Sequence, residues 1–143
     1  MDHAGRLSRL RHTLNDDKLD ILLVTHLPNI RYLCGFAGSS SALLVTEGES
    51  VLFTDSRYRI QAFEEVVGAK TVIGPKSPPV AAAEWLSAQL QSSRKRSRKG
   101  SRPHSLAIEP ESTSVAARDR VAAILRGKLR LGSAPPWSSV PVW

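Results

Sequence analysis

The 143 residues include one cysteine, Cys34, so no internal disulfide can form and the fold has to rest on a packed apolar core. A chain of that length fits one domain and buries roughly 68–70% of its unfolded surface, so no covalent staple is required. No apolar run approaches the roughly 18 residues of a membrane span, and no charged-then-apolar leader opens the chain. These absences predict a cytoplasmic protein with no membrane partner. No internal repeat is evident, which excludes a solenoid or an array.

Spacings that mark catalytic chemistry are missing as well. His3, His12, His26 and His104 are scattered, with no H-E-x-x-H or comparable pattern, and are expected to be solvated or capping. Asp16 and Asp17 read as a polar pair at a helix end. Gly38-Ser39-Ser40-Ser41-Ala42 lacks the G-x-S-x-G elbow, and Gly35-Phe36-Ala37-Gly38-Ser39 has neither the Lys nor the spacing of a phosphate-binding loop. Cys34 has no His placed by sequence to act as its base, so a small, partly buried, inert thiol is expected. No catalytic residue, metal ligand or cofactor site is therefore assigned to this chain.

Positive charge is in excess, with 20 Lys and Arg against 13 Asp and Glu and a net charge of +7. Arg94, Lys95, Arg96, Arg98, Lys99 and Arg102 supply six of those seven charges within SSRKRSRKGSRP, leaving the rest of the chain nearly neutral. That run is rich in Ser, has no apolar periodicity and carries no interleaved aromatics. Residues 93–103 are accordingly expected to form a solvated basic loop. Localised Lys and Arg attract phosphate weakly and in a salt-dependent way, so nucleic acid is not an expected partner.

Helix and strand signals alternate along the remainder. Leu7, Leu10, Leu14 and then Lys18 follow a helical stripe over residues 2–18. DILLVT at 20–25 reads as a buried strand, and Pro28 precedes a turn or short helix at 29–33. SALLVT and SVLFT flank Glu47-Gly48-Glu49 and predict an antiparallel hairpin. Asp55 or Ser56 is placed to cap a helix through SRYRIQAFEEV, with Tyr58, Ala62 and Val66 on one side and Gly68 as its stop. KTVI is a fourth strand, and Pro78-Pro79 precedes a helix with Trp85 and Leu86 in the core. SLAIE at 105–109 is a fifth strand. The following helix has Val115, Arg118 or Asp119, Ala122 and Leu125 in phase and ends at Gly127, and a last strand is expected at 128–131. Pro135, Pro136 and Pro141 make 135–143 an extended tail, so the domain proper is 1–134. A hairpin combined with helical crossovers implies an α/β fold, a mixed sheet flanked by helices.

Two stretches are the most informative. NIRYLCGFAGSS follows the first strand and TDSRYRIQA begins where SVLFT ends, so both lie at strand ends, where α/β sheets place functional surfaces. The pattern N-I-R-Y-L-x-G-F-x-G-S, followed by T-D-S-R-Y-x-x-Q-A, closely resembles the amino-terminal domain of the creatinase, prolidase and Xaa-Pro aminopeptidase family of M24-type peptidases. Asn29, Arg31, Tyr32, Leu33, Gly35, Phe36, Gly38, Ser39, Thr54, Asp55, Arg57, Tyr58, Gln61 and Ala62 carry the match, and Cys34 stands where such sequences often have Thr.

The resemblance implies a roughly six-stranded mixed sheet of ribonuclease-H-like topology. It also implies a non-catalytic domain that gates the peptide cleft and mediates self-association as a homodimer, with its own catalytic domain as partner and peptide as substrate of the full enzyme only. The catalytic "pita-bread" half has no counterpart here. In the family that half holds a pair of divalent metals, usually manganese, cobalt or zinc, and cleaves peptides next to proline. Arg31, Tyr32, Phe36, Arg57 and Tyr58 become cleft candidates, while Asn29, Gly35, Gly38, Ser39, Asp55 and Gln61 become scaffold. A structural role for the first group stands beside this reading, with Arg57 paired to Glu64, Glu65 or a carbonyl and the tyrosines covering the sheet. The alternative function is a free-standing interaction module, with weak nucleic-acid binding through 94–102.

Overall fold

In the computed structural model, which describes residues 2–96 and 105–135, six strands form one mixed sheet with helices on both faces. Helix α1 spans His3–Asp16, and Asp2 caps it by accepting from the Gly5 amide at 3.0 Å. Strand β1, Ile21–Val24, is buried on both faces. Helix α2, Leu27–Cys34, takes Pro28 into its first turn, where the missing N–H costs nothing, and ends at Gly35 in a left-handed conformation (φ 86°).

Strands β2 (Ser41–Val45) and β3 (Ser50–Thr54) form the expected antiparallel hairpin. At its turn Thr46 donates its amide to the Glu49 carbonyl at 2.9 Å. A single 3₁₀ turn, Ser56–Tyr58, leads into α3 (Arg59–Glu65) and then β4 (Lys70–Ile73), which runs parallel to β3. Helix α4 is Pro78–Arg96, β5 is Ser105–Ile108, α5 is Val115–Leu125 with Ser114 as its cap, and β6 is Arg130–Ser133.

The sheet order is β4-β3-β2-β1-β5-β6. Strand β2 is antiparallel to both neighbours and every other pairing is parallel. Alternation along the strands divides the core in two. Leu22, Val24, Leu43, Val45 and Leu52 face α1, α2 and α3 through Leu7, Leu10, Leu14, Ile30, Leu33 and Ala62. Ile21, Leu23, Leu44, Val51 and Phe53 face α4 and α5 through Ala82, Ala83, Leu86, Val121 and Leu125. Trp85 is half-buried, its ring edge-on to Phe53 at 6.1 Å.

Four expectations are corrected. Lys18 does not continue the α1 stripe. It adopts a positive φ of 57° and stays exposed, so the chain turns out of the helix and Leu19 packs on the core instead. Both Pro78 and Pro79 lie inside α4 at its first turn, where proline is tolerated, and the helix runs on through Arg96. It thus takes the first four residues of the stretch expected as loop, and 97–104 lie outside the described residues. Val115 is 75% exposed, because the buried face of α5 is set by Val121 and Leu125, which pack with α4 in the second core cluster. The last strand is Arg130–Ser133, shifted two residues by the turn at Gly127 (φ 76°). Of the tail expected at 135–143, residues 136–143 lie outside the described residues.

Candidate functional site

Parallel pairing of β1 with β5 sets Leu23 opposite Ile108, so the residues that follow each strand meet at the carboxyl edge of the sheet. There Glu109, only 4% exposed, accepts from the Thr25 amide at 2.8 Å and the His26 amide at 3.0 Å through Oε1, and from Asn29 Nδ2 at 2.7 Å through Oε2. His26 is the cap position of α2 but makes no side-chain capping bond. The Glu109 carboxylate supplies that cap from 83 residues away, and a negative charge at a helix amino end is favoured by the helix dipole. Beside it Thr25 Oγ1 bonds the hydroxyls of Ser112 (2.6 Å) and Thr113 (3.0 Å). Glu109 anchors the entry to NIRYLC and went unrecognised in the sequence; a charged residue ending an apolar strand was its signal.

The exit from α2 is equally constrained. A Cβ on Gly35 would lie 2.8 Å from the Glu65 carbonyl oxygen, and one on Gly38 would lie 2.3 Å from the Phe36 ring, so only glycine fits either place. Phe36 is buried and meets the Tyr58 ring edge-on at 5.9 Å. Tyr58 Oη bonds Ser39 Oγ at 2.5 Å. Glu65 Oε1 accepts from the Ala37 amide at 2.9 Å and from Gln61 Nε2 at 3.0 Å, which fastens residues 35–39 to α3. Asp55 caps the 3₁₀ turn by accepting from the Arg57 amide at 3.0 Å, and its carboxylate takes the Arg57 guanidinium in a bidentate pair at 3.0 and 2.8 Å. The Arg57 side chain holds the Asp55 carboxyl below its usual range. Asp55, not Glu64 or Glu65, is therefore the partner of Arg57, two residues away on the same turn.

Phe36, Arg57 and Tyr58 thus come together with Gly38, Ser39 and Asp55, and the Arg57 guanidinium lies 5.4 Å from the Tyr58 ring centre. Tyr32 belongs to a different contact: Arg6 stacks over its ring at 3.9 Å and donates to its carbonyl at 2.9 Å, tying α2 to α1. Arg31 is exposed and no described contact joins it to the Phe36–Tyr58 group. Among the described residues no three His, Cys, Asp or Glu side chains gather in a way able to hold a metal ion.

Cys34 is fully buried, not partly, and desolvation pushes its thiol from 9.0 up to about 11. Because the folded value lies above the unfolded one, the neutral thiol's contribution is fully present below pH 9 and is lost as pH rises towards 11. The difference is worth about 2–3 kcal/mol. Urea unfolding of the parent and of Cys34→Ala below pH 9 and again near pH 11 is expected to show the parent losing that much more stability than the variant. An equal loss in both would remove Cys34 as the cause.

Residues 6–137 match the Creatinase/Prolidase N-terminal domain. The chain belongs to this family. Its fold is similar to that of an aminopeptidase P, an Xaa-Pro aminopeptidase, from Streptococcus thermophilus, with a TM-score of 0.78 and 22% identity over 97% of each chain. The N-terminal domain of the cytoplasmic peptidase PepQ from Mycobacterium tuberculosis H37Rv has a TM-score of 0.75 and 29% identity, covering 94% of this chain and 96% of that one.

Longer relatives place the family domain within a larger length. The Xaa-Pro dipeptidase from Bacillus anthracis matches with a TM-score of 0.71 and 18% identity over 92% of this chain but 34% of its own. The uncharacterized peptidase YqhT of Bacillus subtilis strain 168 is 31% identical over 67 residues, which are 47% of this chain and 19% of that protein. The mixed six-stranded sheet is the architecture shared with the structural relatives. No described helix is long and apolar enough to cross a membrane.

Proposed function

We propose that this chain is the non-catalytic amino-terminal domain of an Xaa-Pro aminopeptidase- or prolidase-like metallopeptidase of the cytoplasm, where it borders the peptide cleft, limits access to it and mediates self-association. The parent reaction is hydrolysis of a peptide bond next to proline by a catalytic domain holding two divalent metals, manganese, cobalt or zinc. The observation that carries the reading is the braced loop at 35–39. Glycines at 35 and 38, the Phe36–Tyr58 contact and the Glu65 bonds give it one shape, while Arg31 at its entry stays exposed. A rigid border with a guanidinium beside it suits the recognition of a peptide carboxylate, since preorganised groups lose little entropy on binding.

Arg31→Ala in the full peptidase tests this. The expected result is an unchanged unfolding midpoint for the domain with kcat/KM on a proline peptide lowered roughly tenfold or more, as fits one lost charge-assisted bond. Loss of stability with unchanged kinetics would place Arg31 in the scaffold and defeat the cleft assignment.

A further inference from the structure

The ion pair of Asp55 and Arg57 adds little to stability, because the Arg57 side chain is 71% exposed and such pairs are weakened by solvent and by the ordering of a long side chain. Its effect is on orientation. Asp55 Oδ1 accepts from Arg57 Nε at 3.0 Å and Oδ2 accepts from Nη2 at 2.8 Å, which fixes the plane of the guanidinium. The Tyr58 ring, its centre 5.4 Å from the guanidinium carbon, restrains the group a second time. Both restraints are themselves held. Phe36 braces Tyr58 edge-on and Ser39 bonds its hydroxyl, while the Asp55 carboxylate also caps the 3₁₀ turn through the Arg57 amide.

A guanidinium carries about five N–H donors in a fixed fork, and Asp55 takes one from Nε and one from Nη2, the side-on edge. The end-on edge, formed by Nη1 and the other N–H of Nη2, makes no hydrogen bond among the described residues. That edge is planar and matches the two oxygens of a carboxylate. Charge favours an anion there as well: residues 55–59 set one negative side chain, Asp55, against the positive Arg57 and the exposed, positive Arg59. Arg31 is exposed too, but no described side chain fixes its direction in this way.

We infer that the end-on edge of Arg57 receives the terminal carboxylate of a short peptide substrate, with Asp55 as the positioning residue that keeps the fork turned outward. The inference rests on the cleft border proposed above and names what that border selects: a free carboxylate in place of an amide or a continuing chain.

Kinetics of the full peptidase test it, on whichever of Ala-Pro or Ala-Pro-Ala it cleaves faster, offered as the free acid and as the C-terminal amide. The parent should favour the acid. Arg57→Ala should lower kcat/KM on the acid roughly tenfold or more and on the amide far less, so that the ratio between them collapses. Arg57→Lys keeps the charge without the fork and should not restore the ratio. Asp55→Asn still caps the turn, so the urea midpoint should stay close to the parent's, yet KM for the acid should rise with kcat unchanged. A parent indifferent to acid or amide overturns the inference, as does full recovery by Arg57→Lys or an equal loss on both substrates in Arg57→Ala. An unaltered ratio in Arg57→Ala, while Arg31→Ala still lowers kcat/KM, overturns the fork and leaves the cleft border standing. Kinetics that neither arginine variant moves overturn both readings.

Discussion

Glu109→Ala should cost about 3–5 kcal/mol in urea unfolding. Its carboxylate accepts three hydrogen bonds, from the Thr25 and His26 amides and from Asn29 Nδ2, at 2.7–3.0 Å. Bonds to a charged acceptor are worth about 1.5–3 kcal/mol each, and water reaching the two half-buried amides recovers part of the sum. Alanine also strips α2 of the negative charge at its amino end and opens a void where the side chain was packed. Glu109→Gln should fall between parent and alanine, since its carbonyl oxygen still faces the two amides while its NH₂ opposes Asn29. A loss below about 1 kcal/mol for the alanine variant would show that the carboxylate is dispensable and that α2 is held by packing alone.

That carboxylate also marks the limit of what the amino-acid order reveals. Periodicity is a local property, so the Leu7, Leu10 and Leu14 stripe and the SALLVT–SVLFT hairpin, whose partners lie within a few residues, were legible. The family motif likewise fixed the glycines at 35 and 38, each of which has its steric reason in the structure. Glu109 depends on β1 lying beside β5, a pairing of residues more than eighty positions apart that no local pattern encodes. The phase of α5 was misread for a related reason. Val115 and Val121 are equally apolar, and only the packing partners that tertiary structure brings to the helix decide that the second is buried and the first is not. Arg57 was expected to pair with Glu64, Glu65 or a carbonyl, but Asp55, two residues away, takes its guanidinium through both carboxylate oxygens.

These contacts explain why the motif is compact in sequence although its side chains do separate jobs. Asn29 serves the entry to α2, Gly35 its exit, Gly38 and Ser39 the seat of the Phe36 and Tyr58 rings, and Gln61 the carboxylate that holds the Ala37 amide. Each fixes backbone on one side of the loop. Arg31 is the member that the fold leaves exposed and without such a task, which is what separates a candidate for recognition from its scaffold.

Gly35→Ala is expected to be the sharpest single disruption of that loop. Two costs act together, and two other glycines separate them. Gly48 has no neighbour within 4 Å of an added Cβ and no positive φ, so Gly48→Ala should change stability little. Gly127 has a φ of 76° with open space around it, so Gly127→Ala measures left-handed strain alone, about 1–2 kcal/mol. Gly35 combines a φ of 86° with a Cβ position 2.8 Å from the Glu65 carbonyl oxygen. That oxygen belongs to backbone and has little room to retreat. The Val67 amide bonds the Cys34 carbonyl at 2.9 Å, and Glu65 Oε1 holds both the Ala37 amide and Gln61. Relieving the clash therefore means parting α2 from α3, which adds about 1–3 kcal/mol of overpacking to the strain. The order of stability should run Gly48→Ala, Gly127→Ala, Gly35→Ala, the last about 2–5 kcal/mol below the parent. If Gly35→Ala unfolds no earlier than Gly127→Ala, the contact with Glu65 is not what requires glycine, and the loop is looser than its hydrogen bonds imply.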